Sequence, residues 1–171
     1  MHEQTSEHFA AAYWTLLTQT EFDLCFYEEH YKRNLLVSRV LSWTPRIITT
    51  ITAMAWMQWN EVEWLRQLCL YVIFAMQAAE VLINHLPYQA RVSELRDLIN
   101  ELQPLFRELE AQWREIEEGQ LTLAEINAAI MERTQQVDQV KRHYLKEDEL
   151  SENAKIVRRA SDKMERYFQH Y

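Results

Sequence analysis

Glycine, proline and cysteine are all scarce in this 171-residue sequence. It contains one glycine, three prolines and two cysteines, whereas average usage would supply about twelve glycines. Hairpin turns and the phosphate-binding loops of Rossmann and P-loop proteins need glycine where the backbone adopts a positive φ or approaches a phosphate closely. Because Gly119 is the only glycine, the sequence excludes nucleotide binding through a glycine-rich loop and argues against most β architectures.

The usual signatures of an enzyme are missing as well. The six histidines form neither an HExxH motif nor a Glu-x-x-His pair, which are the patterns that aim metal ligands from one helix face. Cys25 and Cys69 stand alone in apolar stretches, which indicates two buried thiols in a reducing compartment rather than a disulfide. We therefore expect a non-enzymatic protein without a cofactor, a metal or a small-molecule substrate.

Helical periodicity is the main positive signal. Apolar residues recur at steps of three and four, which predicts an all-α, elongated protein. Three parts are predicted: an N-terminal amphipathic helix (1–44), an apolar helical hairpin (45–88), and a C-terminal part (89–171) with an antiparallel coiled-coil hairpin and a terminal amphipathic helix. Thr44 and Pro45 resemble an N-cap and a first helical residue, so we expect a break at Ser42–Pro45. A second, polar break is expected at Glu61–Arg66, and Pro87 should end the second apolar helix near His85.

The C-terminal part carries the clearest local signals. Gly119 is the expected left-handed cap of one helix, and Thr122 with Glu125 forms the capping box that opens the next. Lys146–Glu149 predicts a charged break, and Ser151 predicts the N-cap of the last helix. Pro104 is expected to bend the helix that carries the heptad positions, which are Leu95, Leu98, Leu102, Leu105, Leu109, Trp113 and Ile116.

The apolar hairpin has the features of a membrane-inserting segment. Arg46 and Glu80 lie at nearly equal distances along the chain from the turn near Val62, so antiparallel helices bring them to the same depth. Tryptophans border the segment, as interfacial anchors do. The candidate hairpin-pairing or pore-lining residues are Arg46, Ile51, Ala55 and Glu80, and the candidate anchors are Trp43, Trp56, Trp59 and Trp64.

Lysine and arginine flank the hairpin, whereas its tip is acidic. Lys32, Arg33 and Arg39 precede it and Arg91 and Arg96 follow it, so the positive-inside rule places both termini in the cytoplasm. A buried soluble core remains the alternative, because the strictly uncharged windows are shorter than the roughly 20 residues of a spanning helix. In the membrane interpretation, the same short windows predict that insertion is conditional and starts from a soluble cytoplasmic complex.

The last predicted helix carries a basic strip on a protein whose net charge is −8. The strip is either a solvated face balanced by nearby acids or a docking surface for an acidic partner or for the nucleic acid of a partner complex. Its residues are Lys155, Arg158, Arg159, Lys163 and Arg166.

The organisation resembles the SLATT-like two-transmembrane effector family, in particular the small effectors associated with retron anti-phage systems. The residues that carry the resemblance are Tyr31–Asn34 ahead of the hairpin, the apolar pair, Leu86–Tyr88 with Arg91, and the turn from Trp113 through Gly119 to Ile126. The resemblance covers most of the chain. It implies a toxin that permeabilises the bacterial inner membrane in abortive infection, a homo-oligomer, and an inhibitory partner such as a retron reverse transcriptase with its RNA–DNA.

Two other classes stay open on the residues alone. A soluble helical adaptor that assembles a complex through its coiled coil has the same helical pattern. An accessory subunit of an enzyme has no residue in its favour.

Overall fold

Five α-helices make up almost all of the described chain. The computed structural model describes residues 2–58, 62–84, 88–145, 150 and 153–169. The helices are α1 (His2–Gln58), α2 (Glu63–Asn84), α3 (Tyr88–Glu117), α4 (Leu123–Leu145) and α5 (Ala154–Phe168). No strand occurs within these ranges, and the predicted all-α class is confirmed.

Helix α1 runs without a break through Pro45, so the predicted interruption at Ser42–Pro45 is wrong. Thr44 does not cap a new helix. Its hydroxyl donates a 2.7 Å hydrogen bond to the carbonyl of Val40, and the hydroxyl of Ser42 donates to the carbonyl of Arg39. Such backward bonds satisfy the hydroxyl groups within the helix, and Pro45 removes only one backbone hydrogen bond from it.

The other predicted breaks are shorter than expected or differ in position. Glu63–Arg66 forms the first turn of α2, with an ion pair of 3.0 Å between Glu63 and Arg66, so the predicted polar break at Glu61–Arg66 is too long. Pro104 lies inside helix α3, where the sequence places it, and the bend expected there remains a prediction. Asn153, rather than Ser151, caps α5, since its side chain accepts a hydrogen bond from the backbone N–H of Lys155. Trp59, Pro87, Lys146–Glu149 and Ser151 lie outside the described residues.

The turn between α3 and α4 forms as predicted. Gly119 has φ +70, and the N–H groups of Gly119 and Gln120 bond to the carbonyls of Ile116 and Glu115, which is the Schellman pattern. Thr122 and Glu125 form the reciprocal capping box: the Glu125 carboxylate accepts from the Thr122 N–H at 2.7 Å. The hydrogen bonds that the Thr122 hydroxyl and the Thr122 backbone N–H donate to this carboxylate lower the pKa of Glu125.

The chain divides into two compact units, and the first of them contains the hydrophobic core. This unit, called here the core unit, consists of Met1–Tyr31 and Ser93–Tyr171. Tyr13 and Leu17 of α1 are fully buried together with Leu98 and Leu102 of α3. The Tyr13 hydroxyl donates a hydrogen bond of 3.1 Å to the carbonyl of Leu109. The first half of α1 therefore packs on the C-terminal hairpin instead of standing as a separate part.

Helices α3 and α4 run antiparallel within the core unit. The Arg133 side chain of α4 donates to Gln112 of α3 and pairs with Glu108, and Tyr144 donates to Glu101 nearer the other end. Most predicted heptad positions lie in or against the core, although Leu105 is only half-buried and Phe106 takes a buried place beside it. The two helices thus belong to a four-helix packing with α1 and α5, and coiled-coil geometry between them remains a prediction.

Candidate functional site

The second unit, Lys32–Val92, exposes large apolar side chains instead of burying them. We call it the hairpin unit. Of its described residues only Pro45 and Cys69 are buried. Among the described residues, sixteen of the eighteen large hydrophobic side chains that are exposed belong to this unit. A soluble monomer rarely exposes so much contiguous apolar surface, and such patches mark binding or membrane surfaces.

Most of the exposed apolar side chains follow one stripe along each helix. At 3.6 residues per turn, steps of three and four keep side chains on one face. The less exposed residues of the hairpin unit, such as Pro45, Thr52 and Cys69, lie on the opposite faces. The stripe consists of Leu36, Val40, Trp43, Ile47, Ile51 and Met54 on α1 and of Trp64, Leu68, Tyr71, Phe74 and Leu82 on α2.

Arg46 and Glu80 meet across the two helices of the hairpin unit. The Arg46 Nε donates to the Glu80 Oε1 at 3.3 Å, which is the contact predicted from their equal distances to the turn. Their side chains are 63 % and 38 % exposed. In water such an exposed pair contributes only about 0–1 kcal/mol. Its larger effect would come in a medium of low dielectric constant, where each charge needs a partner.

The other candidate hairpin residues differ in exposure. Ile51 lies on the α1 stripe and is 61 % exposed, whereas Ala55 is half-buried. Trp43 and Trp64 are well exposed and Trp56 is less so. Their role as interfacial anchors remains a prediction.

Helix α2 is the one described helix that is long and apolar enough to cross a membrane. Its segment Glu63–Ile83 has 21 residues and a mean hydropathy of 1.4. Only 6 % of its apolar 18-residue stretch is buried inside the protein. Length and composition alone support this statement, and a second span in α1 remains a prediction. The polar residues Arg46, Thr49 and Thr50 make the matching stretch of α1 less apolar.

The predicted basic strip on α5 is partly used within the core unit. Lys163 Nζ lies 2.6 Å from a Glu29 carboxylate oxygen and 3.5 Å from one of Glu28, and Arg159 lies 3.7 Å from Glu29. These contacts hold α5 against α1. The Arg166 Nε donates to the backbone carbonyl of Asp162. Of the strip, Lys155 and Arg158 are exposed and form no ion pair with any described residue.

Burial raises the pKa of several titratable groups inside the core unit. The Cys25 thiol donates to Glu21 at 3.5 Å, and burial, followed by the Glu21 charge, raises its pKa to about 12. The thiol is therefore protonated and a poor nucleophile at neutral pH. Burial also raises the pKa of Glu21 and of Asp23, although Lys141 pairs with Asp23. Within the described residues, no group of three or more potential metal ligands could hold an ion.

Two sets of relevant residues are not among the sequence candidates. The first set is the part of the stripe outside the candidate list, for example Leu36, Val40 and Phe74. Its three- and four-residue spacing in the sequence could have revealed it. Glu28 and Glu29, which receive Lys163, had no signal in the sequence, because their partner lies more than a hundred residues away.

Comparisons with family models, with curated proteins and with solved structures find no match to this chain. The resemblance to the SLATT-like effectors therefore remains a prediction from the residues that carry it.

Proposed function

We propose that the protein is a non-enzymatic effector whose hairpin unit enters the cytoplasmic membrane and permeabilises it. The observation that carries this proposal is the exposed apolar stripe on both helices of a unit in which only Pro45 and Cys69, of the described residues, are buried. Helices that pack together in lipid are expected to carry large apolar residues on the outside and small or polar residues between the helices. Water is a poor solvent for such a surface.

The free-energy balance favours insertion of the hairpin unit. Transferring sixteen half-exposed apolar side chains from water gains about 1 kcal/mol each, or on the order of 15 kcal/mol. Placing the two charges of Arg46 and Glu80 in the bilayer centre would oppose this by about 5–7 kcal/mol. Their mutual contact at 3.3 Å lowers that penalty. The apolar term is therefore the larger one.

A toxin role in abortive anti-phage defence is supported by the resemblance to SLATT-like effectors. In that role the stripe must be covered before activation, by an inhibitory partner, such as a retron reverse transcriptase with its RNA–DNA, or by further copies of the chain. Activation would then release the hairpin unit to the inner membrane, with both termini in the cytoplasm.

Expression of the chain alone in bacteria tests this proposal. We expect growth to stop, the membrane potential to fall, and the protein to stay in the membrane pellet after a carbonate wash. The double variant Ile51→Asp with Ala55→Asp should restore growth, because acids within the proposed membrane segment oppose insertion. Unchanged growth with normal potential would refute the toxin function.

A soluble adaptor is the second candidate, and the composition of α1 favours it, since α2 is the one helix among the described residues that meets the criteria for a membrane span. In that case the stripe would join copies or partners in water. The adaptor predicts a monodisperse oligomer in detergent-free buffer, no membrane pelleting, and no effect of expression on growth.

A further inference from the structure

The charge of the chain is divided very unevenly between its two units. The hairpin unit contains six lysines and arginines and three glutamates, which gives a net charge of +3. The remaining residues contain twelve lysines and arginines against twenty-three aspartates and glutamates, a net charge of −11. The apolar stripe therefore lies in the one unit that is locally basic.

Two exposed arginines of the hairpin unit, Arg33 and Arg39, lie near the N-terminal end of the α1 stripe. Arg46 is paired with Glu80, and Arg66 is paired with Glu63 near the turn. Arg33 and Arg39 of α1 are exposed and form no ion pair with a residue that the structure describes. Each is three residues from Leu36, so both lie beside the stripe rather than opposite it.

The part of α1 between Arg39 and its C-terminal end is about as long as the hydrocarbon core of a bilayer is thick. From Arg39 to Gln58 an α-helix rises about 28 Å, close to the hydrocarbon thickness of about 30 Å. With the stripe from Val40 to Met54 in the hydrocarbon, Arg39 would lie at the level of the lipid headgroups, and Arg33 would lie one or two turns further out. Phosphate groups of the headgroups are suitable partners for both guanidinium groups.

Resting on the proposed membrane function, we infer that the hairpin unit recognises anionic phospholipid, with Arg33 and Arg39 contacting headgroup phosphates while the stripe enters the hydrocarbon. A nucleic acid would also attract these two arginines, but it would leave the apolar stripe in water. Only a lipid surface satisfies the cations and the stripe together. Anionic lipid attracts each nearby arginine strongly enough that losing two weakens binding roughly 30-fold.

Sedimentation of the full-length protein with lipid vesicles tests this inference. Vesicles of phosphatidylcholine are compared with vesicles of mixed phosphatidylcholine and phosphatidylglycerol. The variant Arg33→Gln with Arg39→Gln is matched by Lys155→Gln with Arg158→Gln, which removes two exposed cations from the core unit. We expect roughly 30-fold weaker binding to the anionic vesicles for the first variant, and little change for the second. Circular dichroism checks that both variants keep their helix content.

The outcomes separate the inference from the function beneath it. Equal binding of the wild type to both vesicle types would overturn the lipid preference and leave membrane insertion standing. Equal losses in the two variants would overturn the roles of Arg33 and Arg39. Binding to neither vesicle would overturn the proposed function itself. If duplex DNA binds with the same dependence on Arg33 and Arg39 and anionic vesicles do not displace it, nucleic acid replaces lipid as the ligand.

Discussion

The substitution Ile51→Asp separates a membrane surface from an ordinary soluble one. Ile51 lies on the α1 stripe and in the inner part of the segment Arg39–Gln58, about 18 Å along the helix from Arg39 and about 10 Å from Gln58. On the insertion scale the change from isoleucine to aspartate at a central position opposes transfer by about 3–4 kcal/mol. That corresponds to a loss of about 100- to 1,000-fold in the membrane-bound fraction at equilibrium.

Folding in water should respond very differently to this substitution. Because Ile51 is 61 % exposed, a polar replacement changes the free energy of unfolding by no more than about 0.5 kcal/mol. Met131 on α4 offers a matched control, since it is 68 % exposed and belongs to the core unit. Met131→Asp makes the same apolar-to-acidic change outside the stripe.

Dye release from vesicles and thermal unfolding measure the two effects side by side. We expect Ile51→Asp to lose nearly all leakage while keeping its Tm, and Met131→Asp to keep both. If both variants lose leakage equally, added negative charge rather than position explains the effect. If Ile51→Asp leaks like the wild type, the stripe does not enter the hydrocarbon and the energetic reasoning fails.

Three further predictions concern stability and protection. Leu102→Ala, at a fully buried position of the core unit, should lower the free energy of unfolding by about 2–5 kcal/mol in urea titrations; a loss below 1 kcal/mol would contradict its place in the core. Because burial raises the pKa of Glu21, the folded state binds a proton at this carboxyl more tightly than the unfolded state does. The stabilisation from this proton is therefore present at acid pH and is lost as the pH rises above the ordinary pKa of 4.5. Glu21→Gln should therefore remove this group's contribution to the pH dependence of Tm above pH 4.5, and a pH dependence identical to that of the wild type would contradict this. Without lipid, backbone hydrogen exchange should be faster in α2 than in α3, because few α2 side chains are buried. On anionic vesicles, α2 should become protected from exchange. Equal protection of both helices without lipid would contradict the exposed stripe.

Local signals made part of the fold predictable from the sequence. Gly119 and the Thr122–Glu125 box act within a few residues of each other, so the turn between α3 and α4 could be placed without knowing the rest of the structure. The same holds for the Arg46 and Glu80 contact, which needs only a hairpin with its turn near Val62. In each case the geometry of a short or symmetric segment fixes the result.

Long-range packing could not be predicted in this way. Tyr13 bonds to the carbonyl of Leu109, and Lys163 bonds to Glu29, across about a hundred residues or more. The continuity of α1 escaped prediction for a different reason. Thr44 before Pro45 is a common helix start, but the same hydroxyl can bond backward within a helix, and the sequence does not distinguish the two geometries.

The two units differ in where their apolar residues lie and in their net charge, and both differences bear on how the protein would bind a membrane. The core unit buries leucines such as Leu98 and presents an acidic surface, whereas the hairpin unit buries Pro45 and Cys69 and presents leucine, isoleucine and tryptophan. A net charge of −11 on the other residues opposes approach to an anionic surface, so attraction must come from the hairpin unit itself. Added salt would weaken both the attraction and the repulsion, but it would leave apolar burial intact. Binding that persists at high salt and disappears in Ile51→Asp would therefore identify the stripe as the main source of affinity, with Arg33 and Arg39 selecting the lipid.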